Sequence, residues 1–251
     1  MVVTHLGDMP YGLKEMQEFA AHIELMEDSE AILEFTCARC RESGADGFSY
    51  HFTPIFESAT SRNTFVWARH APPELQTRYF SEGFREINPV PKLAQESGPV
   101  MTSRQARELG KHDAQAASFF QFFEEIGIEH WAGFHLFGPR ARNALAALTF
   151  DKDFERLPVG TLTYIHSMLQ SAHFRICAII AETEREVSLS EREKEVLRGI
   201  GSGMSAQEVA RKLQISPETV KTYTKRIYEK LETHDRVTAT VRALKLGLVE
   251  L

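Results

Sequence analysis

Between Ser190 and Leu231 the chain writes the same instruction three times: a small polar residue, a helix-starting acid or proline, then apolar residues spaced for one face. Ser190 is followed three positions later by Glu193, the pattern of a capping box, and Val196, Leu197 and Ile200 supply the inward face of a first helix. Gly201 and Gly203 end it. Ser205 caps a second helix carrying Val209, Ala210 and Leu213, and Gln214-Ile215-Ser216 leaves space only for a tight turn before Pro217 opens a third. Helices this short and this closely joined must cross steeply around one small core, which is the geometry of a helix-turn-helix.

The third helix, PETVKTYTKRIYEKLE, is built with two faces. Val220, Tyr223 or Thr224, Ile227 and Leu231 point inward, whereas Thr219, Lys221, Thr222, Lys225 and Arg226 occupy the other side. Small polar groups near the N-terminus allow close approach to a groove floor, and cations further along are placed to meet phosphates and base edges. The charge balance agrees once it is divided. From Ser188 onward there are 12 Lys/Arg against 9 Asp/Glu, a net +3, while the preceding residues hold 17 against 26, a net −9. Phosphate is attracted by the field at the contacting face, so an acidic first part does not exclude binding to double-stranded DNA.

The segment LSEREKEVLRGIGSGMSAQEVARKLQISPETVKTYTKRIYEKL resembles the C-terminal domain of the LuxR family nearly end to end, through E-x-E-V-L, E-V-A-x-x-L and S-P-x-T-V-K. The resemblance implies that Lys221, Thr222, Lys225 and Arg226 contact DNA, that Glu193 makes an internal structural bond, and that the helix from about Arg236 to Leu246 serves dimer contact.

Ahead of this module, apolar spacing predicts helices near Leu13–Leu25 and Glu30–Arg41, and FSYHF and TFVWA have the composition of strands. A Pro- and Gly-studded stretch from Ala71 to Pro99 is expected to hold short helices at most. One longer helix is predicted from Ser103 to Ile126, with Ser103 as N-cap, followed by a hairpin of HWAGFHLF and NALAALTF. After Pro158 a long amphipathic stretch keeps Leu162, Ile165, Leu169, Ala172, Ile176 and Ile180 on one side. The expected fold is an α/β/α sandwich around an antiparallel sheet over residues 1–181, a charged linker at 182–187, and an all-α four-helix helix-turn-helix domain over 188–251.

That order of elements resembles the autoinducer-binding domain of quorum-sensing LuxR regulators, which hold an acyl-homoserine lactone between the sheet and a helix layer. A phosphorylated receiver would instead open with a strand ending in paired acids. Counted by the family's spacing, the pocket positions fall on Leu75, Tyr79, Asn88 with Pro89, Ser103 and Trp131, or Gly133 with a two-residue slip. Tyr79 and Pro89 match the family; Leu75 stands for a Trp that donates to the lactone carbonyl, and Asn88 for an Asp that accepts from the ligand amide. Both polar anchors are altered, so the expected ligand is a small apolar or aromatic molecule, with a lactone doubtful. Tyr50, Phe52 and Trp67 are further candidate lining residues, beside Phe48, Phe65 and Phe134. The alternative is that these aromatics close the space and the domain only dimerises or binds a partner.

Other functions find little support. The histidines, among them those at 51, 112, 130, 135, 166 and 173, are scattered and form no H-E-x-x-H, and neither a nucleophile elbow nor a phosphate loop occurs, so no enzyme is expected. Cys37 and Cys40 lie one helical turn apart with no second pair to complete a metal site, and read as buried helix residues; no metal or cofactor is expected. The N-terminus has no basic segment leading into an apolar run, and no apolar stretch is long enough to cross a bilayer. The sequence therefore predicts a cytoplasmic, homodimeric regulator with no membrane partner.

Overall fold

The computed structural model describes residues 12–53, 64–183 and 187–250. The chain divides into two compact units, Met1–Glu182 and Thr183–Leu251. The first unit is built on a five-stranded sheet of order β2-β1-β5-β4-β3, antiparallel throughout. Its strands are β1 (Gly47–Phe52), β2 (Phe65–Arg69), β3 (Val100–Thr102), β4 (His130–Leu136) and β5 (Ala144–Phe150). One face is covered by α1 (Leu13–Glu24), α2 (Ser29–Glu42) and α7 (Thr161–Thr183); the other by α3 (Pro73–Ser81), α4 (Val90–Ser97), α5 (Ser103–Gly110) and α6 (Ala114–Glu125).

Two separate cores result, because strand side chains alternate between faces. On β5, Ala144, Ala146 and Leu148 pack toward α2 and α7 with Phe134 and Leu136 of β4. Leu145 of β5 and Trp131 of β4 belong to the second core, with Tyr79, Phe119 and Phe122. Cys37 and Cys40 are both buried in the first core, and burial raises both thiols, which keeps them protonated and unreactive.

The predicted helix from Ser103 to Ile126 is two helices. α5 ends at Gly110, where a Cβ would lie 3.0 Å from both Ala116 and Phe120, and Asp113 then caps α6 through the amides of Gln115 and Ala116. Thr102, not Ser103, is the N-cap of α5, in a capping box with Gln105. The three-residue β3 was not expected; it pairs in the sheet with β4 and buries Met101 in the second core.

Within the first core His173 on α7 ties three elements together. Its ring lies 2.8 Å from the Arg142 carbonyl through Nε2 and 2.7 Å from the Tyr50 hydroxyl through Nδ1. Since a carbonyl can only accept, Nε2 carries the proton and Nδ1 accepts from Tyr50, an arrangement only the neutral ring satisfies. Burial lowers the His173 pKa to about 4 against the partial support of that carbonyl.

The second unit comprises α8 (Glu191–Gly201), α9 (Ala206–Leu213), α10 (Pro217–Lys230) and α11 (Arg236–Lys245). Ser190 and Ser205 each form a capping box, with Glu193 and Glu208. Gln214 turns the chain between α9 and α10 in the left-handed conformation, φ 56°. Val196, Val209, Val220, Ile227 and Ala239 meet in a common core. Glu193 is buried; its carboxylate accepts from the Ser190 amide and from Lys230 Nζ, both at 2.7 Å, joining α8 to α10. Burial alone would raise this carboxyl, but the bonds from Lys230 and Ser190 outweigh it and hold the pKa below the usual value.

His173 makes the first unit acid-sensitive. The unfolded chain takes up a proton near pH 6.5 and the folded chain only near 4, so this contribution is complete above about 6.5 and declines as pH falls toward 4. At pH 5 the loss is on the order of 1–2 kcal/mol. His173→Gln should be less stable at pH 7.5, and its melting temperature should fall less than the wild type's between pH 7.5 and 5; parallel decline would exclude His173 as the source.

Candidate ligand cavity and nucleic-acid interface

A cavity of about 80 Å³ lies between the sheet and the α3–α6 layer. The sheet contributes Ser49 and His51 of β1, Val66 and Ala68 of β2, Trp131 of β4, and Leu145, Ala147 and Thr149 of β5; Leu75, Tyr79, Phe80, Asn88, Val90, Phe119 and Phe123 close it. Four of the eight expected ligand residues therefore meet here: Leu75, Tyr79, Asn88 and Trp131. The other four do not.

Tyr50, Phe52 and Trp67 lie on the opposite face. Tyr50 pairs across the sheet with Trp67 and Ala146, and its hydroxyl is bound to His173. Trp67 packs edge-on to Phe48, its ring centroid 5.6 Å away, and its indole N–H reaches Glu30 at 3.4 Å. Phe52 lies near the His173 ring. The cause is the sheet's alternation: once Tyr50 commits to the α7 face, Phe52 follows and Ser49 and His51 take the cavity. Ser103 is buried at the start of α5, outside the cavity. Of the remaining aromatics, Phe65 is exposed, Phe134 lies in the first core, and Phe48 belongs to that core while reaching the cavity wall.

The sequence reading missed His51, Ser49, Phe119 and Phe123. Phe119 and Phe123 are four apart on α6, a spacing that marks a common helical face. Ser49 and His51 alternate with aromatics and so look like the solvated side of a strand.

The polar groups of the cavity are largely engaged with one another. Asn88 donates from Nδ2 to the Tyr79 hydroxyl at 2.9 Å, and its Oδ1 accepts from the Val90 amide at 2.9 Å, so its oxygen is already used to turn the chain into α4. Burial raises the Tyr79 phenol despite the Asn88 bond, leaving it neutral. His51 and Ser49 share a hydrogen bond of 3.1 Å, and burial, assisted by the positive charge of Arg85, lowers the His51 pKa to about 4. Among the described residues no Asp, Glu, Lys or Arg lines the cavity. Its wall is thus uncharged at neutral pH and suits a neutral molecule.

On α10, Lys221, Thr222, Lys225 and Arg226 are exposed and Thr219 is half-buried, while Val220 and Ile227 are fully buried beneath them. Ser216 caps the helix by accepting from the Thr219 amide at 3.1 Å, and Pro217 occupies its first turn. Lys221 lies 2.8 Å from Glu218 and Lys225 3.9 Å from Glu229, pairs exposed enough to exchange readily for a phosphate. No ion pair holds Arg226 among the described residues. The result is a row of cations and small hydroxyls on one exposed helix face. No helix among the described residues is long and apolar enough to cross a membrane.

Comparison with known proteins gives two family matches: the autoinducer binding domain over residues 28–176, and the bacterial regulatory proteins of the luxR family over residues 187–243. Among curated proteins, y4qH of Sinorhizobium fredii, described as an HTH-type transcriptional regulator, is 26% identical over 178 residues, 69% of this chain and 54% of that protein. This chain thus spans about half of that relative. The transcriptional activator protein AnoR of Acinetobacter nosocomialis is 25% identical over 193 residues, 73% of this chain and 78% of AnoR. These relatives are transcriptional regulators rather than enzymes. Two solved structures of SdiA, one of them a crystal structure of the Escherichia coli protein, share the fold. One has a TM-score of 0.75 at 18% identity, covering 94% of this chain and 98% of SdiA. The other, SdiA in complex with octanoyl-rac-glycerol, has a TM-score of 0.74 at 17% identity, covering 99% and 98%.

The Tyr79–Asn88 bond predicts a measurable coupling. Tyr79→Phe leaves the half-buried Asn88 amide without its acceptor and should cost about 0.5–1.5 kcal/mol in urea unfolding. Combined with Asn88→Ala it should cost less than the sum of the single changes; strict additivity would mean that the bond contributes nothing.

Proposed function

Since the chain belongs to the LuxR family of bacterial regulatory proteins, in the group that carries an autoinducer-binding domain, we propose that it is a transcription regulator binding promoter DNA through α10 under the control of a small neutral ligand. The observation that carries the DNA half is the exposed face of α10, where Thr219, Lys221, Thr222, Lys225 and Arg226 stand over a fully buried inner face. The ligand half rests on the uncharged cavity formed by Leu75, Tyr79, Asn88 and Trp131 with His51 and Phe119.

The regulator acts as a homodimer on a two-fold symmetric site, because one short recognition helix reads too few base pairs for useful affinity. Val237, Val241 and Leu244 support α11 as the contact: they are 69%, 43% and 41% exposed and fall on one helical stripe. The preferred ligand is smaller than an acyl-homoserine lactone. A cavity of about 80 Å³ is roughly half the ~150 Å³ that accommodates benzene, Leu75 offers no donor, and the Asn88 oxygen is occupied. The same small volume favours a second reading, in which the unit is a ligand-independent dimerisation body.

Replacing Lys221 or Arg226 by Ala should weaken binding to a promoter fragment by about 1–3 kcal/mol where the side chain meets a base, and should reduce the salt slope where it meets phosphate. Gel shifts at two salt concentrations with mass photometry of the complex are the test. Unchanged affinity in both variants would place the DNA face elsewhere, and one chain per operator would overturn the dimer.

A further inference from the structure

Most polar side chains of the cavity are engaged with one another. Four side chains already have partners: His51 with Ser49, and Asn88 with Tyr79. Thr149 Oγ1 accepts from the Gly47 amide at 2.9 Å. Trp131 is different. It is 2% exposed, lines the cavity, and its indole N–H is buried without an acceptor among the described residues. A buried donor left unmade is costly, and most such groups in folded proteins are satisfied.

Packing does not relieve it. Trp131 sits against Phe120, with ring centroids 6.2 Å apart, and edge-on to Phe123 at 5.8 Å. Phenyl rings fix the orientation of the indole but provide no oxygen lone pair. Across the sheet its register partner is Thr149, whose hydroxyl is held by Gly47. The other tryptophan, Trp67, has an indole partner in Glu30 and lies on the far face of the sheet.

We propose that the Trp131 indole N–H is the ligand-recognising donor of this cavity, and that it selects a compact neutral molecule presenting one carbonyl oxygen on an apolar body. This rests on the reading that the cavity is the ligand site. A carbonyl satisfies the donor and the apolar body contacts Leu75, Val90 and Leu145. Among the described residues no acidic or basic side chain lines the wall and the neighbouring histidine is neutral, which favours a neutral molecule over a carboxylate or an ammonium.

The test uses the full chain labelled with ¹⁵N at tryptophan and ¹³C at leucine and valine methyls, titrated with cyclopentanone and with cyclopentane, the same ring without an oxygen. Cyclopentanone should move the Trp131 indole N–H resonance downfield, leave that of Trp67 in place, and perturb the Val90 and Leu145 methyls. Cyclopentane should perturb those methyls without the downfield indole shift. Trp131→Phe, which keeps an aromatic ring, should bind cyclopentanone about three- to tenfold more weakly and change cyclopentane affinity less than twofold. If cyclopentanone perturbs the cavity methyls but leaves the Trp131 N–H unmoved, or binds Trp131→Phe equally well, the donor assignment is wrong while the cavity survives as a ligand site. If neither ring perturbs the cavity methyls, the ligand-site reading itself fails and this inference with it.

Discussion

Strand alternation in a sheet buried on both faces is the constraint on which the first unit depends. Each residue of β1, β4 and β5 must choose one of two interiors, and the choice of one fixes its neighbours. Tyr50 is pinned to the α7 side by His173, so Phe48 and Phe52 join it and Ser49 and His51 are sent to the cavity. The two interiors are differently filled. The α7 side is closed by large apolar side chains and one satisfied polar chain from Tyr50 through His173 to the Arg142 carbonyl. The other side keeps a small space whose walls are apolar and whose polar groups stand at its rim and floor.

This division assigns separate roles to the two helical layers. The α1, α2 and α7 layer is a structural backing that holds strand register. The α3–α6 layer, built of shorter helices, covers the space and is the part that a ligand would touch. A close approach maintains the seam between the layers and the sheet: a Cβ at Gly133 would come within 2.8 Å of Val90, so the strand carries no side chain where α4 crosses it. In the second unit the corresponding constraint is the Glu193–Lys230 bond, which fixes α10 against α8 and so orients its exposed cations.

The legibility of the sequence followed the same physics. The second unit was readable because its signals are local: Ser190 and Ser205 each cap a helix as their spacing suggests, and Ser216, read as part of the turn, proves to cap the third. The elements of the sheet were readable too, apart from β3, whose three residues carry no pattern and join the sheet through β4. Facing was not readable. FSYHF shows aromatics alternating with Ser and His, which suggests a wet side, yet His51 is buried and neutral. Ser103 was placed by family spacing alone, and it serves the first turn of α5 instead. The break after Gly110 was also hidden, since apolar spacing continues across it and the Asp113 cap that restarts the chain as α6 lies inside that pattern.

The cavity on the α3–α6 side should accept an apolar atom, whatever its natural ligand. Xenon is apolar, compact, and enters dry cavities of suitable size. A crystal structure of the chain under xenon pressure should place an atom beside Trp131, Val90 and Leu145 and none between the sheet and α7. Xenon lodged against Tyr50, Trp67 or His173 with the other side empty would contradict the account, because the face assigned to structure would then be the one with space to sense.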